Sequence, residues 1–160
     1  MIKLITLIFT ITVSNANIFP FLLPDEGSHF NHYLHLLVKN AQKEIIIVTP
    51  SMNYPSFSKN IIDSLSHGTH LTIISSKQSG DPLRLIAYEG VSLYEYSPRA
   101  ISDTLILIDS TYVCHLSGSL NEKSLGEAVS HVWCSDESSL ILSTQKQISR
   151  LLKRSKPYLE

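Results

Sequence analysis

The sequence predicts an α/β fold, a layered αβα sandwich with a mixed, largely parallel sheet. Three observations carry that prediction. Glu44-Ile45-Ile46-Ile47-Val48-Thr49 and Leu71-Thr72-Ile73-Ile74 are strand-length runs with few polar breaks, so both of their faces must be covered. Helical periodicity lies before, between and after them, and strands alternating with helices at this pitch favour a parallel sheet. The last third changes pattern: Thr104 to Ile108 and Thr111 to Leu116 read as a hairpin around Asp109-Ser110, which makes the sheet mixed.

Each element follows from its residues. Asn17 to Pro24 reads as a short apolar leader, and Asp25-Glu26-Gly27-Ser28 supplies helix-starting residues. Phe30, Leu34, Leu37, Val38 and Ala41 share one helical face, in a helix ending near Gln42. His29, His32 and His35 lie opposite that face, and their spread round the helix reads as a solvated surface rather than a metal site. After the first strand, Pro50 to Pro55 forms a loop at a strand end, where α/β proteins place ligands. Phe57, Ile61, Ile62 and Leu65 predict a second helix stopping at His67-Gly68. Pro82 to Tyr88 gives a third helix, and Val91 to Tyr96 an alternating strand. Ala128 to Cys134 is a terminal strand, and Ser138 to Arg154 a closing helix with Leu140, Ile141, Ile148, Leu151 and Leu152 available to cover the sheet. Lys146, Arg150, Lys153, Arg154 and Lys156 make the end of that helix basic, which complements the helix dipole or serves as a phosphate-binding patch.

With 160 residues, 43% hydrophobic and 17% charged, the chain suits one folded domain with a real core and excludes disorder. Thirteen basic and fourteen acidic residues give a net charge of −1, so any affinity for a polyanion must come from a local patch. Lys3, the apolar run Leu4 to Val13 and Ser14-Asn15-Ala16 read as a signal peptide over residues 1–16, with a domain over 17–160 that is exported to the periplasm or secreted. The apolar run is too short to span the ~30 Å bilayer core, and no later segment has the length of a transmembrane helix. In an oxidising compartment Cys114 and Cys134 are either a disulfide or two small buried hydrophobes.

Ile101 to Asn121 is the most informative stretch: an apolar strand ends on a carboxylate, Asp109, and Gly118-Ser119-Leu120-Asn121 follows as a small polar turn. Together with Pro24-Asp25-Glu26-Gly27-Ser28, the segment Lys39-Asn40-Ala41-Gln42-Lys43-Glu44-Ile45, the helix-turn-strand Ile61 to Leu71 and the terminal strand and helix, this stretch resembles the phospholipase D superfamily in its small, secreted, nuclease-like bacterial branch. The resemblance covers essentially all of 17–160. It implies a phospholipase D-like fold, a site built from H-x-K-x-x-x-x-D and G-S-x-N, and pairing of two half-sites in a homodimer. A histidine would attack phosphorus, and a lysine would neutralise the non-bridging oxygens. It calls for no metal and no cofactor.

The motif is broken in this chain. Counting back from Asp109 puts Ser102 at the histidine position and Thr104 at the lysine position. Asp109 is kept, and Ser119 and Asn121 match the substrate-binding positions of G-S-x-N. Gly118 falls two residues later than the family spacing, which predicts a longer or bulged hairpin. A serine without a base and a threonine without charge do not replace the lost groups. Losing such a charge alone costs roughly 3 to 4 kcal/mol of transition-state stabilisation. His115 and His131 are the substitutes for a relocated nucleophile. The expectation is an impaired hydrolase that binds phosphodiesters (nucleic acid or phospholipid) or a protein through the remnant cleft, as a homodimer or a mixed dimer with an intact relative. The alternatives are an active phosphodiesterase and a pure interaction module.

Overall fold

The computed structural model describes residues 16–159, so the signal expected over residues 1–16 lies outside the described residues apart from Ala16. In chain order the elements are β1 (Ile18–Leu23), α1 (Gly27–Lys39), β2 (Glu44–Val48), β3 (Met52–Asn53), α2 (Pro55–Leu65), β4 (His70–Ser75), α3 (Asp81–Leu85) and β5 (Val91–Glu95). They continue with β6 (Asp103–Ile108), β7 (Tyr112–Ser117), β8 (Leu120–Asn121), α4 (Glu122–Gly126), β9 (Ser130–Ser135), α5 (Ser138–Leu152) and β10 (Lys156–Pro157).

Eight strands form one sheet in the order β1-β9-β7-β6-β2-β4-β5-β10. The layered, mixed α/β architecture is the expected one, but the sheet is not largely parallel. Among the described residues β2–β4 and β4–β5 are the parallel pairings of this sheet and the other five are antiparallel, while β3 and β8 form a separate parallel pair. The reason is connection length. The turn between β6 and β7 is too short for a crossover, so the two strands must oppose each other, and β9 and β1 extend that antiparallel half. The expected leader over 17–24 is likewise a strand, β1, paired along its whole length with β9 at the sheet edge. Pro20 is tolerated there because an edge strand does not need every amide for pairing.

Strand alternation assigns the side chains to two faces. Ile45, Ile47, Leu71, Ile73, Ile106, Ile108, Cys114 and Val132 pack towards Phe30, Leu34 and Val38 of α1 and Phe57 and Ile61 of α2. Val48, Ile74, Leu107 and Val113 point the other way, against Ile141 and Ile148 of α5. β2 carries both sets, which is why its apolar run is continuous. Helix α5 lies over β6 and β7. Beyond it the outer strand stays open, with Ile18 and Leu22 exposed.

At one end of the sheet the strands are laced together by Thr49 N–H donating to the Ile74 carbonyl at 3.0 Å, Tyr96 N–H to Ser75 at 2.8 Å and Ile101 N–H to Ser76 Oγ at 3.2 Å. The start of β6 and the end of β7 reach the same end, so the sheet topology brings Ser102, Thr104 and the turn beginning at Gly118 there. Among the described residues no helix is long and apolar enough to cross a membrane.

Candidate functional site

Thr104, at the lysine position, points into the protein. Its side chain is 0% exposed, as is that of Thr49 at the end of β2. The two hydroxyl oxygens lie 2.8 Å apart, with the Gly118 carbonyl 2.7 Å from Thr104 Oγ1 and the Ser51 carbonyl 2.8 Å from Thr49 Oγ1. Two hydroxyl protons therefore serve three contacts, in a chain that runs one way or the other. The network ties β2, β6 and the turn after β7 together. Gly118 makes this turn at φ 82°, a left-handed conformation open to glycine.

Ser102, at the histidine position, is exposed just before β6 and donates to Asp103 Oδ2 at 3.0 Å. It lines a cavity of about 480 Å³ between the sheet and α5, together with Arg99, Asp103, His115, Trp133 and Gln147. His115 and Trp133 are directly opposite on β7 and β9, and their rings stack at 5.4 Å and 17°. His115 pairs with Leu105 and not with Thr104, so it lies on the α5 face, one side of the sheet away from the buried threonines. His131 is exposed on β9 and is not among the residues lining this cavity.

Asp109 is elsewhere. It sits at the far end of β6 from Thr104, about 17 Å away at the rise of an antiparallel strand. The strand runs away from the site: Ser102 and Thr104 stand at its start, and Asp109 lies just past its other end. There the carboxylate accepts the backbone N–H groups of Gln42, Lys43 and Glu44 at 2.8, 2.8 and 3.0 Å. It pins the α1–β2 connection and takes no part in the cavity. Of the longer or bulged hairpin expected, no bulge is present: β6 and β7 pair without interruption from Asp103–Ser117 to Ile108–Tyr112.

Of the G-S-x-N positions, Ser119 is half-buried beside Gly118, and Asn121 is occupied as the cap of α4, its Oδ1 accepting from Ser124 N–H at 2.8 Å. Nearby, burial raises the Tyr54 phenol above its usual value, and the Glu122 carboxylate adds to that rise. Cys114 and Cys134 lie opposite each other on β7 and β9 and are joined by a disulfide. Of the histidines of α1, His29 is exposed, His32 and His35 line a hollow beside Tyr54 and Asn60, and His35 also lines one with Asp63 and His67. Among the described residues no group of three His, Cys, Asp or Glu side chains is placed to hold a metal ion.

Sequence reasoning missed Thr49 and Trp133. Thr49 could have been found as the polar end of an otherwise apolar strand, opposite Thr104 once β2 and β6 are paired. Trp133 could have been found from alternation along β9, which sets it on the face opposite Val132 and Cys134.

No protein-family model and no curated protein matches this sequence. Solved structures do match in shape. NucT from Helicobacter pylori superposes with a TM-score of 0.81 at 15% identity, over 89% of this chain and 99% of that one. Nuc from Salmonella typhimurium, a phospholipase D family member, gives 0.75 at 14% identity, over 91% and 99%. Phosphatidylserine synthase from Haemophilus influenzae gives 0.71 at 15% identity, over 89% of this chain and 40% of the enzyme. The chain has the phospholipase D-like fold.

Proposed function

We propose that this chain is an exported, phospholipase D-like protein without phosphodiesterase activity, which forms a dimer and binds a nucleotide-type phosphodiester in the cavity beside Ser102. The observation that carries the loss of activity is the closed hydroxyl network around Thr104, with no exposure and no charge at the lysine position. The neighbouring Ser102 hydroxyl faces Asp103, a negative group where the chemistry needs a positive one.

The cavity supports binding. Its volume is that of a small-ligand site. The His115–Trp133 pair offers a ring shelf on which a base stacks, a contact worth roughly 1–3 kcal/mol. Arg99 supplies a guanidinium for the phosphate, and Asp103 an acceptor for base or sugar donors. The ring shelf favours a nucleotide over a phospholipid headgroup. Export is supported by the Lys3-led apolar run and by the Cys114–Cys134 disulfide, a bond suited to an oxidising compartment. Dimer formation is supported by the apolar side chains left uncovered on β1.

The test is an NMR titration of isotope-labelled protein with a dinucleotide. Shifts centred on the Trp133 indole and Arg99 are expected, and they disappear in Trp133→Ala; a titration that leaves both groups unmoved overturns the binding reading. A second reading, hydrolysis with His115 as nucleophile, is favoured by one observation, that His115 and Ser102 line the same cavity. Trapping of a phosphohistidine at His115 after incubation with a reactive phosphodiester would establish it in place of the first.

A further inference from the structure

Charge is segregated in this chain to a degree that its net value conceals. Of the thirteen basic residues five lie between Ser138 and Leu159, and none of the fourteen acidic residues does. That segment carries +5 while the remainder carries −6. Lys146, Arg150, Lys153 and Arg154 of α5 and its C-terminal end are all exposed. Among the described residues the only ion pair is Arg84–Asp81, so no carboxylate compensates these four. Lys156 lies opposite Glu95 in the β10–β5 pairing, where that carboxylate faces it.

The helix dipole does not account for the arrangement. It favours cations within the last turn, and Lys146 stands well before it. Nor does packing, because the residues that α5 buries are Ile141, Thr144 and Ile148 on its inner side. The outer side presents Lys146, Arg150 and Lys153 around a shallow hollow, with Gln145 and Ser149 interleaved as neutral donors. A row of cations at one-turn spacing, mixed with amide and hydroxyl donors, is the chemistry that holds a phosphate backbone without reading its sequence. A lipid surface is the poorer fit, since an interfacial helix inserts a broad apolar face and that of α5 is spent on the sheet, leaving Leu142 as its exposed large hydrophobic.

We infer that the outer face of α5 is a docking surface for the phosphodiester backbone of nucleic acid, duplex included, independent of sequence and separate from the cavity beside Ser102. The inference does not require the cavity to bind anything.

The experiment is fluorescence anisotropy of a labelled DNA duplex with the full chain over a range of salt concentrations. Log affinity is expected to fall with log salt at a slope on the order of −3 to −4, the value for about four phosphate contacts. Replacing all four residues (K146Q, R150Q, K153Q, R154Q) should remove that slope and lower affinity at least about tenfold at moderate salt. The pair K146Q and R150Q should remove roughly half of the slope, a graded loss that misfolding does not produce. Glutamine is a good helix former, so circular dichroism should stay unchanged. No binding at low salt, binding indifferent to the four substitutions, binding lost in Trp133→Ala but kept in the fourfold variant, or a preference for anionic vesicles over duplex would each overturn the inference. A silent dinucleotide titration at Trp133 would remove the cavity reading and leave this one standing.

Discussion

Replacing Asp109 tests most sharply what the retained residue of the motif does. Its carboxylate accepts three backbone N–H groups from Gln42, Lys43 and Glu44, and its own N–H donates to the Glu44 carbonyl at 2.9 Å. A hydrogen bond to a charged group contributes about 1.5–3 kcal/mol. Gln42 and Lys43 are exposed, so water takes over their amides when the carboxylate is removed, and the full sum is not lost. Asp109→Ala should therefore cost about 2–3 kcal/mol, including a share from the left-handed backbone at φ 51°, which alanine tolerates less well. Asp109→Asn keeps the backbone preference and one acceptor oxygen, and should cost about 1–2 kcal/mol. With a urea slope of about 2 kcal/mol/M, the alanine variant's midpoint falls by roughly 1–1.5 M. Urea unfolding followed by far-ultraviolet circular dichroism reads this directly. A midpoint unchanged in Asp109→Ala, with ligand binding at the Ser102 cavity lost, would instead make Asp109 a residue of the site.

Other consequences concern the threonine network, the disulfide and acid. Thr104→Lys forces an ammonium into a fully buried position and should destabilise the fold by at least about 3 kcal/mol, seen as a lowered thermal midpoint, without restoring hydrolysis even when combined with Ser102→His. The Cys114–Cys134 bridge closes a loop with a sequence separation of 20, for which chain entropy gives about 3 kcal/mol; melting with and without reductant should differ accordingly, and Cys114→Ala/Cys134→Ala should melt like the reduced protein. The Asn17 backbone and side-chain amides hold the Asp136 carboxyl below its ordinary value. Because the folded value is depressed, this tether acts fully above the unfolded value and is lost as pH falls through the folded one. Protection of the amides at the start of β1, measured against their intrinsic exchange rates, should therefore fall in acid, and Asp136→Asn should remove that acid-dependent step.

Much of the fold was legible because its signals are local. The apolar runs at Ile45–Val48 and Leu71–Ile74 stand out without knowledge of their neighbours, and so does the periodicity from Phe30 to Val38. Strand direction is not local. Ile106 and Ile108 look alike whether β6 runs with β2 or against it, and only pairing shows that the sheet is mostly antiparallel. The stretch over 17–24 failed for a related reason: Pro20 argues against a strand, and only an edge position beside β9 makes it one. At the site, counting from Asp109 located Ser102 and Thr104, yet it could not show that one faces the cavity and the other is sealed behind it. That difference depends on Thr49 and Gly118, which are distant in the sequence from one another. His115 was a candidate by proximity, but one residue of alternation sets it on the opposite face of the sheet from Thr104.

Steady-state hydrolysis decides whether this chain lacks phosphodiesterase activity. Purified protein is incubated with bis-nitrophenyl phosphate, DNA and phosphatidylcholine, beside a His115→Ala variant prepared in the same way. No turnover above buffer is expected for either protein, because no imidazole and no cation stand at Ser102 and Thr104. Turnover by the unmodified protein that disappears in His115→Ala would contradict that expectation.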